Sequence, residues 1–429
     1  MPEKKKAVVP RLRFPEFRNA GPWEVKQLGE VVSIANGLSV VQNNEPPGIK
    51  VTRIETISDG FVNITKVGYI KSLDDIESYK LQVGDILFSH INSLDHIGKC
   101  AFVDQPFDLY HGMNLLRFQV HKRDSVPKFI YYVVCSEPFR SSIRSRANQA
   151  VNQASINQTE VGRSRIALPP FLEQQKIADC LSSLDELIEL EAKKLEALQA
   201  HKKGLMQQLF PREGETTPRL RFPEFRDAGP WEVKRLGEIV EIINERAGDK
   251  KCTLLSVTAG IGLVSQVEKF GREIAGKQRR NYFILRKNDF AYNKSATKDY
   301  PEGYIGLYEG DEIAAVPNSI FVCFRPAQEK VVPRYLRFLF EINVHGRWMR
   351  RFITVGARAH GSLNIDNHNL LHIPIPLPAT AVSIPEQQKI ADCLSSLDEL
   401  IELEAKKLEA LKAHKKGLMQ QLFPQEIDL

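Results

Sequence analysis

The sequence predicts an α+β protein. Two mixed α/β domains are separated by two long helices that form an antiparallel coiled coil, and the whole is pseudo-two-fold symmetric. Three observations predict this. Residues 173–211, EQQKIADCLSSLDELIELEAKKLEALQAHKKGLMQQLFP, recur at 386–424 with one change, Gln199 to Lys412. A second repeat precedes each copy: PRLRFPEFRNAGPWEVKQLGE (10–30) returns at 218–238 with two changes. The intervening stretches, 31–172 and 239–385, are nearly unrelated. Repetition at this scale marks a constant frame around variable inserts.

The long helices come first. From Glu173 to Phe210 there is no proline and one glycine, Gly204, and Pro211 and Pro424 stop the two copies. Apolar residues follow alternating steps of four and three, a heptad seam. In the first copy the seam runs through Ile177, Leu181, Leu184, Ile188, Glu191, Leu195, Leu198, Lys202, Leu205 and Leu209. In the second it includes Leu397, Ile401, Glu404, Leu408, Leu411, Lys415 and Leu418. Such a helix spans roughly 55 Å, and its narrow stripe needs a partner helix. An antiparallel pair could place Glu191 opposite Lys415 and Lys202 opposite Glu404, resolving every polar break. That register stacks Leu184 on Leu422, Ile188 on Leu418, Leu195 on Leu411 and Leu198 on Leu408. The alternative is that each helix packs on its own globular domain with its polar breaks solvated. The expected segments are 1–172, 173–211 (spacer helix), 212–385 and 386–429.

Both inserts read as many short strands separated by Gly-, Asn- and Ser-rich loops. Strands are expected at Ile49–Ile54, Gly84–Ser89 and Leu115–Val120, and at Thr253–Val257, Asp289–Tyr292 and Ile320–Phe324. Short helices are expected at Pro127–Ser136 and Pro333–Phe340.

Charge distribution adds a partner class. The net charge is +6; the helical copies carry −2 and −1, leaving +9 on the remaining 351 residues. That asymmetry suits a polyanion. No apolar run reaches the ~18 residues of a membrane span, and no secretory signal opens the chain. Six scattered cysteines without a C-x-x-C pair suggest a reducing cytoplasm and no zinc site.

The ordered motifs carry a family resemblance. LRFPEF…WE…LGE precedes each insert, IALPP or IPIPLP closes it, and EQQKIAD-LSSLDELI opens each long helix. In this layout the chain resembles the specificity subunit of a type I restriction–modification system, along essentially its whole length. The resemblance implies that each insert is a target recognition domain reading one half of a bipartite double-stranded DNA target, with the helices setting the gap. It also implies two modification subunits that use S-adenosylmethionine to methylate adenine, and restriction subunits that use ATP and Mg. This chain itself is expected to bind no cofactor or metal, and to have no catalytic residue. It carries no Asn/Asp-Pro-Pro-Tyr/Phe methylation motif and no phosphate-binding loop. Two alternatives stay open: a self-contained methyltransferase or nuclease with unfamiliar motifs, and a coiled-coil scaffold with protein-binding inserts.

Candidate DNA-contacting residues follow from side chains able to read base edges. The inserts align where an apolar strand enters a polar loop. Ser89, His90, Asn92, Ser93 and His96 occupy the first loop, and Asn293, Lys294 and Lys298 the second. Near the end of each insert, Arg146 to Asn157 parallels Gly356 to Asn364. Gln149, Asn152, Gln153, Arg358 and His360 are candidates there, while Asn157 and Asn364 read as caps or turn formers. Lys277, Arg279 and Arg280 form the densest basic cluster and suit phosphate contact, as could Arg140, Arg144, Arg146, Arg163 and Arg165. The same charges could simply be a solvated face.

Overall fold

A computed structural model describes residues 8–71, 75–150, 153–258, 261–274, 277–298, 300–353, 363 and 365–425. The chain divides into two compact units: Met1–Ala192 with Lys406–Leu429, and Lys193–Ala405. Each long helix is therefore shared between units.

In the first unit a four-stranded antiparallel sheet runs in the order Val32–Asn36, Leu115–Val120, Ile86–Ser89, Cys100–Phe102. Ile86, Leu87 and Phe88 are all fully buried, so this central strand is apolar on both faces, not alternating. Ile86 and Phe88 enter the main core with Phe118 and Phe129, while Leu87 enters a second core with Ile57 and Leu109. The helix Pro127–Cys135 starts with proline in its first turn, where the missing N–H costs nothing.

The second unit repeats this plan from unrelated sequence. Its sheet order is Val240–Ile242, Phe321–Pro326, Phe290–Asn293, Tyr304–Leu307. Phe290 and Tyr292 enter one core and Ala291 another. Pro333–Glu341 takes the place of the first unit's proline-led helix. In a second sheet of this unit Thr253–Thr258 pairs antiparallel with Gly262–Ser265 and in parallel with Ala314–Val316; in the first unit Ile49–Val51 pairs antiparallel with Gly68–Ile70 and bridges Tyr110 in parallel.

The constant segments frame each insert in the same way. Glu24–Gln27 pairs antiparallel with Arg165–Leu168, and Glu232–Arg235 with Pro374–Leu377. The conserved-in-copy Glu-Gln pair then grips what lies above it. Glu173 takes a bidentate ion pair from Arg13, and Glu386 takes its copy from Arg221. The Gln174 side chain accepts from Val126 N at 3.0 Å, and Gln387 from Val332 N at 2.9 Å. Both glutamines thus hold insert backbone, whose geometry does not depend on which side chains the insert carries. Leu12 N donates to Gln421 O at 3.0 Å, repeating the Leu220 N to Gln208 O bond at 2.9 Å.

The long helices, Phe171–Leu209 and Ser383–Leu422, run antiparallel in each unit, but the expected register is corrected. In the first unit Glu191 pairs with Lys407 at 2.5 Å, not with Lys415, and Lys415 pairs with Asp185. In the second, Lys194 meets Glu404 at 2.5 Å and Lys202 meets Asp398 at 2.6 Å. The partner of Glu191 is thus displaced by eight positions. The expected stacking of Leu184 on Leu422 and its companions is displaced with it. The helix ends explain this. Leu422 and Phe423 are buried in the first core beside Ile177, Ala178 and Leu181, with Phe423 5.7 Å from Phe129. Leu209 and Phe210 do the same beside Ile390, Ala391 and Leu394. Anchoring these ends decides the register. The seam lysines Lys202 and Lys415 then lie over the rings of Phe338 and Tyr132, at 5.1 and 5.3 Å. Of the residues assigned to the seam, Glu191, Glu404 and Leu408 are buried. Leu184, Ile188, Leu195, Leu198, Leu205, Leu397, Ile401, Leu411 and Leu418 are half-buried.

Candidate nucleic-acid interface

The two candidate segments of the first insert, far apart in sequence, meet in one small sheet. Ile91–Asn92 pairs with Gln153–Ser155, which pairs with Asn148–Ala150. Ile156 N donates to His90 O at 3.0 Å just beyond. The second insert makes the same junction: Leu363 N donates to Lys294 O at 2.8 Å. His90 aligns with Lys294 and Ile156 with Leu363, so two dissimilar sequences bring corresponding loops together through the same backbone bond.

The loop bases are built differently. In the first unit Ser89 is fully buried and His90 is 9% exposed. Burial pushes His90 down to about 4, so its ring is neutral near pH 7. These two are corrected from surface readers to residues beneath the loop, because the apolar strand carries them inside before it turns. In the second unit Gly303 closes the turn at φ +82°, and a Cβ there would lie 2.5 Å from Asn293 O. Tyr292 donates to Glu302 O at 2.9 Å, and Glu302 pairs with Arg350. His345, buried beside Phe340 at 5.7 Å, is also pushed down to about 4 by burial.

The family model of the type I restriction modification DNA specificity domain matches residues 21–200 and again residues 229–413. The chain belongs to the type I restriction–modification specificity family. It is 32% identical to the MjaX type I restriction enzyme specificity subunit of Methanocaldococcus jannaschii over 418 residues, 94% of this chain and 93% of that one. Among solved structures, the type I restriction–modification S subunit from M. genitalium has a TM-score of 0.57 at 16% identity, covering 98% of this chain and 100% of that one. A chain from a structure of complex assembly and conformational transition of the type I system has a TM-score of 0.51 at 15% identity, covering 95% and 98%. These two share the fold.

With two specificity domains, this specificity-family chain is a DNA-recognition subunit, and its candidate readers can be sorted by position. Ser93, His96, Gln149 and Gln153 are exposed. Asn92 is half-buried, with its amide donating to Ser89 Oγ at 3.2 Å and accepting from Ser93 N at 2.8 Å. Asn293 and Lys294 are half-buried and Lys298 is exposed. Asn152, Arg358 and His360 lie outside the described residues. Arg279 and Arg280 are exposed on the short turn Lys277–Asn281, with Arg280 paired to Asp249 at 2.5 Å. Arg146 is an internal brace: it donates to Glu160 O at 3.0 Å and Ser164 Oγ at 2.6 Å. Arg144 pairs with Glu137, and Arg163 with Glu160 at 2.6 Å. Asn157 caps the helix Gln158–Gly162, accepting from Glu160 N at 2.8 Å. Asn364 lies outside the described residues.

Asn148, which no sequence pattern marks for DNA, is exposed on the small sheet. Its strand is three residues long, too short for an alternating pattern to mark it. Among the described residues, no group of three His, Cys, Asp or Glu side chains could hold a metal. No described helix is long and apolar enough to cross a membrane.

Proposed function

We propose that each unit reads one half of an interrupted double-stranded DNA target. The chain thereby directs modification subunits, which hold S-adenosylmethionine, to methylate adenine within it. Restriction subunits, driven by ATP and Mg, act on the same complex, which works in the cytoplasm. The chain contributes recognition and docking, and the chemistry belongs to its partners. One observation carries the reading. Two unrelated inserts bring matching polar loops together on a duplicated frame, through the bonds of His90 O with Ile156 and Lys294 O with Leu363. The net positive charge outside the repeated helices supports it, since phosphate contact supplies affinity while loop side chains supply sequence choice.

Insert duplication tests this. Residues 31–172 are replaced by a second copy of 239–385, and the chain is expressed with its modification partner. Sequencing of methylated adenines should reveal a target with two identical halves in inverted order. Retention of the original, unlike halves would contradict the assignment of one half to each unit.

A further inference from the structure

The small sheet of the first unit has two distinct faces. Directly paired residues share a face and neighbours along a strand alternate. Ala154, paired with Gln149 and with Asn92, is 1% exposed and belongs to the core. The opposite face therefore carries Gln153 beside Ala150 and Ser155 beside Asn148. Gln153, Ala150 and Asn148 are exposed and Ser155 is half-buried. No residue of these two strands is charged.

A two-stranded β-ribbon fits the major groove; here the free-edge strand Asn148–Ala150 and its neighbour Gln153–Ser155 form such a ribbon, with the third strand, Ile91–Asn92, behind them. There a glutamine or asparagine amide can pair with adenine N6 and N7, and a small methyl such as alanine's can meet the thymine methyl. Guanine is read chiefly by Arg or Lys, and this ribbon face has neither. Its two cross-strand rows are about 7 Å apart, two residues along a strand. That matches two steps of about 3.4 Å along DNA. We infer that the outer face of the Asn148–Ala150/Gln153–Ser155 ribbon reads A·T pairs in the major groove of the first half-site. Gln153 holds adenine beside Ala150 on the adjoining thymine methyl, and Asn148 addresses a pair two steps away. Gln149 faces the other way and takes no part. This inference rests on the proposed half-site reading and adds the bases read and the side chains that read them.

The test compares the wild-type chain with Gln153→Ala, Gln153→Glu and Gln149→Ala, each expressed with the modification partner, by sequencing methylated adenines. Gln153→Ala should lower discrimination at one A·T pair of one half by about 5- to 140-fold, leaving the other half unchanged. Gln153→Glu should shift that position toward cytosine, whose N4 amino group a carboxylate accepts. Gln149→Ala should leave the motif as it is. A synthetic target carrying 7-deazaadenine at the affected position should weaken binding of the wild-type complex and not of the Gln153→Ala complex. Relaxation at a G·C pair would overturn the inference, as would equal weakening on every sequence, which marks a phosphate contact. Loss of complex assembly with an unchanged motif would overturn it too, assigning the face to protein docking. A wild-type chain that yields no bipartite motif would refute the half-site reading itself.

Discussion

Replacing Arg13 by alanine should destabilise the first unit severely. Arg13 Nε and Nη2 donate to the two oxygens of Glu173 at 2.7 and 2.6 Å, and Nη1 donates to Gly21 O at 2.6 Å. The side chains of Arg13 and Glu173 are 6% and 1% exposed. Alanine removes all three bonds and leaves a carboxylate stranded out of water. Breaking a buried pair from one side costs about 3–5 kcal/mol. A unit of this size loses about 2–4 °C per kcal/mol, so the unfolding midpoint should fall by roughly 6–20 °C. The paired change Arg13→Met with Glu173→Met should recover most of this loss, because well-packed apolar replacements of buried ion pairs are often neutral or stabilising. The assay is thermal unfolding of the full chain, followed by calorimetry. The second unit holds an internal control: Arg221 and Glu386 make the same pair at 2.8 and 2.8 Å, so Arg221→Ala should act comparably on that unit. A midpoint for Arg13→Ala within about 1 °C of wild type would instead mean that the pair is solvated or already broken.

Charge exchange along the helices distinguishes the observed register from the one expected from the heptads alone. Glu191→Lys should destabilise the first unit, Lys407→Glu should restore a coupling on the order of 1 kcal/mol, and Lys415→Glu should not; rescue by Lys415→Glu instead would restore the expected register. His345 makes the second unit sensitive to acid. Its folded value lies near 4, against an ordinary value of 6.5, because burial disfavours the charged ring. A depressed folded value means stability that is present above pH 6.5 and lost as the pH falls toward 4, where only the unfolded chain binds the proton readily. His345→Phe should therefore shrink the drop in unfolding midpoint between pH 7 and pH 5, and an undiminished drop would show that His345 is not the buried group responsible.

Much of this architecture is legible in the sequence because the frame is written twice. The long helices, the proline-led helices at Pro127 and Pro333 and the cap at Asn157 follow from local patterns that tertiary packing does not override. The register is not local. It depends on where Phe210 and Phe423 bury, and a seam with two polar breaks per helix accommodates more than one alignment. The loop bases escaped for a related reason. Ser89 and His90 look like surface residues by type, but they continue an apolar strand, and strand direction keeps them inside. The ribbon escaped because three-residue strands leave no period to read. The pattern aligned each loop of one insert with its counterpart in the other, and the backbone bonds show in addition that the two loops of each insert meet. The frame's use of Gln174 and Gln387 on insert backbone shows physically how dissimilar inserts can sit on one frame.

On the proposed function, this chain chooses the DNA sequence on which its partners act. Single-molecule sequencing of methylated adenine in cells expressing the modification partner, with and without this chain, tests it most directly. The expected result is a motif of two short defined halves around a fixed gap, present only with the chain. An active modification partner whose methylation pattern is the same with and without the chain would contradict it.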